Sequence, residues 1–324
     1  MSAACVLPPF PRPPVPGAPP PVLFGKLPDR ADFVRQGESP ALDALDTVAQ
    51  RALWPPPPTA DGPLYRFVYN PPGGPHLLVG ALQLSHDRVG REYPLIVARP
   101  VDRRSLDPGA APSWPLRWEA TCDEAAVSVY GAVVGLAPAA DVLARAAALP
   151  EATWDSDRSP PVDRHVRAAA ALAAGDFARR LPGGAPQAAR TLSSLAALLR
   201  QSALPGYGLR LPLPAPADDF GRADGVSFWL AAGAHLMRAR PPWPSLFWTD
   251  ASPGQPAALF VFYGSLSSKA LRSLLLGAVD SDTVASLDVP APGAAAAGTP
   301  AFDRLLADPH ASVADVLARL HTLA

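Results

Sequence analysis

Two short charged runs hold the side chains best placed for recognition or catalysis. In GKLPDRADFV (25–34), Lys26, Asp29, Arg30 and Asp32 alternate in sign around Pro28. In SHDRVGREYPL (85–95), Asp87, Arg88, Arg91 and Glu92 surround a strand-to-strand turn, with Gly90 suited to positive φ. Opposite charges fixed on rigid strand ends specify a partner by electrostatic complementarity. Lys26, Arg30, Asp32, Asp87, Arg88 and Arg91 are therefore expected to form one polar patch at the ends of neighbouring strands. The competing reading is an internal salt-bridge network that locks the first strand to the strands after it. Lys26 stands out, because only it and Lys269 are lysines among 28 basic residues.

Local signatures of catalysis are missing. Ser85, His86 and Asp87 name a hydrolase triad in order, yet neighbours on a strand alternate faces and cannot form a relay. GVSFW (225–229) lacks the second glycine of a nucleophile elbow. The six histidines include no HExxH and no pair spaced for one helix face, so no metal ligand set is expected. GYG (206–208) is too short for a dinucleotide loop, and no GxxxxGK[ST] occurs, so no cofactor is expected either. Trp243, Phe247 and Trp248 read as core strand packing, because no basic residues interleave them. The enzymatic alternative that survives is a hydrolase with a dispersed site, Ser85 or Ser227 with a distant histidine.

The elements that must hold the two runs follow from periodicity. VLFGKL starts a strand near Pro21, a turn covers 28–31, and Leu42, Leu45, Val48, Ala49 and Leu53 line one face of a helix. LYRFVYN (64–70), HLLVGALQLS (76–85) and REYPLIVARPV (91–101) form a β-meander. Residues 118–149 turn helical, broken at Pro138, and further helices are expected at 163–180 and 186–202. Strands return at 208–213, 244–250 and 257–264, with helices at 225–237 and 267–277. Strands, then helices, then strands predict an α/β fold with a mixed, largely antiparallel sheet.

Composition narrows the function. The 28 basic and 29 acidic residues nearly cancel, which argues against nucleic-acid binding, an affinity that rests on excess Lys and Arg. The longest apolar helical run, 168–174, is far too short to cross a bilayer, so membrane insertion is not expected. Cys5 and Cys122 make no CxxC spacing, which suits the cytoplasm. Nine prolines between Pro8 and Pro21 mark residues 1–21 as a disordered extension. The main domain is expected over 22–280, and 281–324 as a linker with short helices at 301–307 and 312–322. With every expected strand inside 22–280, both ends are expected to be dispensable for folding, while Phe302, Leu305 and Leu306, then Val313, Val316, Leu317 and Leu320, show helical spacing that offers an apolar face for docking on the domain.

At the two charged runs the sequence resembles the type VI secretion-associated TagF (ImpM) family. The first run is similar to that family's GKLPxxGDFV motif. The second resembles S-x-DRVGR-x-[FY]-PL, matched at Ser85, Asp87, Arg88, Val89, Gly90, Arg91, Tyr93, Pro94 and Leu95. Ser227-Phe228-Trp229-Leu230 and Pro244-Ser245-Leu246-Phe247-Trp248 resemble two later signatures, so the likeness runs from about 22 to 277. The chain departs from the family at Ala31, where glycine is usual, and at Leu230. Alanine tolerates positive φ poorly, so a different turn is expected there. The resemblance implies an α/β three-layer sandwich and a cytoplasmic accessory protein that restrains type VI secretion assembly or firing. It implies action by binding, with a forkhead-associated-domain scaffold as a kind of partner, and no catalytic chemistry.

Overall fold

The computed structural model describes residues 19–56, 62–106, 108–151, 161–200, 206–216, 220–237, 243–252, 254–287 and 300–323. The Pro-rich segment up to residue 18 and the linker at 288–299 lie outside the described residues.

Nine strands form one sheet: β1 (Val22–Gly25), β2 (Val34–Gln36), β3 (Tyr65–Tyr69), β4 (His76–His86), β5 (Glu92–Asp102), β6 (Gly208–Pro212), β7 (Ser245–Thr249), β8 (Ala258–Phe262) and β9 (Val284–Ser286). Their order is β2-β1-β5-β4-β3-β7-β8-β6-β9, and only the β6–β9 pair is parallel. The expected mixed, largely antiparallel sheet is therefore present. The expected meander β3–β4–β5 is its centre, with β4 and β5 paired along their full lengths from His76↔Asp102 to His86↔Glu92.

Successive strand residues point to opposite faces, and both faces are covered. Leu78, Leu82, Leu84, Phe67 and Phe260 face one side, packed beneath α1 (Pro40–Ala52) and α9 (Ser268–Leu275). Leu77, Val79, Ala81 and Val97 face the other, beneath α2 (Trp114–Arg117), α3 (Glu119–Val133), α4 (Ala139–Ala147), α5 (Pro161–Ala171), α6 (Ala174–Arg180), α7 (Gly184–Leu199) and α8 (Arg222–Leu236). This is a three-layer α/β sandwich, and double coverage explains why β4 and β5 are apolar on both sides.

Two expectations change. The helix expected over 163–180 is two helices, because Ala173 is extended and forms a bridge with Ser312, while Leu172 O accepts from Val313 N at 2.9 Å. The sheet does not stop at residue 280: Val284–Ser286 adds its ninth strand beside β6. The tail helices belong to the domain, since α10 (Pro300–Ala307) and α11 (Val313–Leu323) bury Phe302, Leu306, Val313 and Leu320 in the larger core, the docking that their apolar spacing offers.

Candidate functional site

The two charged runs meet at one end of the sheet. β1 and β5 are antiparallel neighbours, and β4 and β5 are joined by the turn at 87–91, so Lys26 leaves β1 beside that turn. Gly25 makes the approach possible. It has φ +136°, and a Cβ there would stand 2.2 Å from the carbonyl oxygen of Pro94. Gly90 has φ +84°, as the turn requires.

Asp87 organises the junction. Its Oδ2 accepts from Lys26 Nζ at 2.5 Å and from Arg91 Nε at 2.7 Å. Its Oδ1 accepts from the backbone amides of Val89 at 3.0 Å and Arg91 at 2.9 Å. The Lys26 and Asp87 side chains are only 4% and 0% exposed. Desolvation pushes the Asp87 carboxyl up, but the Lys26 ammonium, followed by the Arg91 and Val89 donors, outweighs it and holds the group well below the usual carboxylate range. A carboxylate with four donors in a dry pocket is a fixed point of structure.

The six residues of the expected patch thus divide. Lys26 and Asp87 do not belong to a surface patch, because the hydrogen bonds that satisfy their charges also enclose them. Arg91 ties the two turns together, donating to Asp87 and to the carbonyl of Ala31 and approaching Asp32 at 3.6 Å. Arg30 and Arg88 are joined through the backbone, where Arg88 N donates to Arg30 O at 2.7 Å. Their side chains are exposed and form no ion pair or hydrogen bond with described residues. Asp32 is fully turned to solvent.

Ala31 causes no strain, since no described non-glycine residue has positive φ. Two contacts were not foreseen. Phe33 stacks on Phe24 and places its ring 4.8 Å from Lys26 Nζ, a cation–π contact that the motif's aromatic position could have suggested. Asp29 accepts from Ala139 N at 3.0 Å and so caps α4, a partner more than a hundred residues away that no local signal reveals.

The serines of the enzymatic alternative are placed differently. Ser85 on β4 and Ser227 on α8 are buried, and neither hydroxyl has a hydrogen-bond partner among the described residues. Among the described residues, the serine-to-histidine bond that activates such a nucleophile is not formed at either one. No cluster of three or more His, Cys, Asp or Glu able to hold a metal occurs among the described residues. A cavity of about 410 Å³ lies between α5, α8 and α11, with alanines as half of its lining and His165 and His235 among the rest. It contains none of the six patch residues.

No described helix is long and apolar enough to cross a membrane. No curated protein matches the chain. The crystal structure of PA0076 from Pseudomonas aeruginosa PAO1 is similar with a TM-score of 0.45 and 18% identity, covering 80% of this chain and 96% of that one. Residues 58–146, which hold β3, β4, β5, α2, α3 and most of α4, match the family described as TagF N-terminal domain, Type VI secretion system-associated. That match includes the 87–91 turn around Asp87, so this part of the chain is similar to the N-terminal domain of TagF proteins.

Proposed function

We propose that this chain is a non-enzymatic cytoplasmic regulator that restrains assembly or firing of a type VI secretion machine by binding one of its components. A forkhead-associated-domain scaffold is the partner class the family resemblance suggests. The observation that carries the reading is the pair of solvent-facing guanidiniums, Arg30 and Arg88, which have no partner among the described residues. They stand on turns pinned by the buried Lys26–Asp87–Arg91 bonds. Unpaired cations on a rigid mount lose little conformational freedom on binding and favour a partner presenting carboxylates or phosphates.

The test separates mount from contact. Arg30→Ala with Arg88→Ala should leave thermal unfolding within about 2 °C of the parent, because exposed unpaired charges contribute little to stability. Binding to a separately purified scaffold or sheath component should fall roughly tenfold or more and weaken further with salt. Undiminished binding would sink the reading. So would stoichiometric labelling of one serine by a fluorophosphonate probe, which would restore the hydrolase alternative.

A further inference from the structure

Helix α3 is apolar on two sides. Cys122, Ala125, Ala126, Val129 and Ala132 are buried beneath it. On its outer side Val127 and Tyr130 are 55% and 51% exposed, and Val134 continues the same row one turn on. These positions follow i, i+3, i+7 spacing, one stripe of a helix. A contiguous row of exposed apolar side chains on a surface helix marks an interaction site, whereas single ones need no explanation.

The end of the helix extends the stripe. Gly135 has φ +72°, Gly135 N donates to Ala132 O, and Leu136 N donates to Gly131 O at 2.9 Å, a Schellman ending. In that motif the residue at Leu136 usually packs back on the side chain three positions inside the helix. Here that position is Gly131, which has no side chain, and Leu136 is 79% exposed. The chain then reaches Ala139, bonded to Asp29, next to Arg30 and so to Arg88 and the exposed Val89.

Charge gives the stripe a direction. At its far end Asp123 and Glu124 already pair with Arg66 at 2.6 Å and Arg145 at 3.4 Å. At the near end Arg30 and Arg88 have no such partner among the described residues. We infer that the outer stripe of α3, from Val127 to Leu136, docks an amphipathic helical segment of another protein, with that segment's acidic end against Arg30 and Arg88. A second copy of this chain fits less well, because the acidic residues along its own stripe are already neutralised. The inference rests on the proposed role of Arg30 and Arg88 and adds the kind of segment they receive and its orientation.

A photo-crosslinking residue placed at Val127, and in a second full-length protein at Val89, reads out both ends in the native cell. Both positions should capture one partner segment. Sequencing should show its apolar residues at helical spacing and its Asp and Glu residues nearer the Val89 adduct. The corresponding synthetic peptide should bind the full chain about tenfold or more weakly after Val127→Glu with Leu136→Glu, with the melting temperature unchanged. Adducts at Val89 alone would overturn the inference and leave the function of the two arginines standing. Adducts to a second copy, or to a segment without an acidic end, would also overturn it. Capture at neither position would overturn both readings.

Discussion

Replacing Lys26 by Met tests the claim that the two turns are mounted on a buried ion pair. Methionine keeps the length and apolar stem of the side chain and removes only the ammonium, so Asp87 stays enclosed with Arg91 and two backbone amides as its remaining donors. Breaking a buried pair by removing one partner costs about 3–5 kcal/mol. The three surviving donors favour the lower end, and at roughly 2–4 °C per kcal/mol a loss of about 3 kcal/mol lowers the melting temperature by about 6–12 °C. The pH dependence has a defined sign. Asp87 is held below its ordinary pKa in the folded state, so its contribution is present above the unfolded value near 4 and is lost as pH falls through the folded value. The variant's deficit should therefore be largest at neutral pH and should shrink on acidification, once Asp87 protonates in the variant. Adding Asp87→Asn to the Lys26→Met protein should recover part of the loss, because the stranded charge is gone. Differential scanning calorimetry between pH 3 and 8 reads all three effects. A single variant that melts within 2 °C of the parent at pH 7 would refute the mount.

Other outcomes follow from packing. A chain ending at residue 280 loses β9 and the buried side chains of Phe302, Leu305, Leu306, Val313, Val316, Leu317 and Leu320. At about 1.5–3 kcal/mol each the loss is roughly 10–21 kcal/mol, as large as a typical total stability of about 5–15 kcal/mol, so cooperative unfolding should vanish in calorimetry. The Cys122 thiol is buried and pushed up in pKa by desolvation, and should resist a disulfide reagent until denaturant unfolds the chain. Burial also depresses the His165 imidazole, opposed by the charge of Asp224. Because the unfolded chain then binds the extra proton, stability should fall as pH drops through about 6.5, and His165→Gln should flatten that slope in a thermal-melt series.

Much of the sheet was legible because β3, β4 and β5 are long and carry their own turn residues, so local pattern and tertiary pairing agree. β2 and β9 have three residues each, too few for an alternation to register. The break at Ala173 was hidden by an alanine-rich run with high helix propensity, and it exists because residues 172–174 bond to 311–313 instead. At the site, the types and proximity of the charges were readable and their burial was not. Which charge turns inward depends on β1 crossing tightly over Pro94 at Gly25, a contact between segments about 70 residues apart. The α3 stripe was visible only as apolar residues, since sequence does not say which side of a helix lacks a neighbour.

The order of the strands also governs what the ribosome must wait for. β3 lies in the middle of the sheet, yet its second neighbour is β7, paired through Arg66↔Trp248 and Phe67↔Phe247. Roughly 180 residues separate those strands, about 10–40 s of synthesis at the usual 5–20 residues per second. Throughout that interval the Tyr65–Tyr69 edge of a nascent chain carries unpaired amides beside aromatic side chains, the kind of edge that recruits foreign strands. The matched segment 58–146 produced alone would keep that edge bare indefinitely. The matched piece of this chain thus needs strand β7 from its later half to pair the edge of β3, and chaperone demand should fall abruptly once β7 clears the exit tunnel.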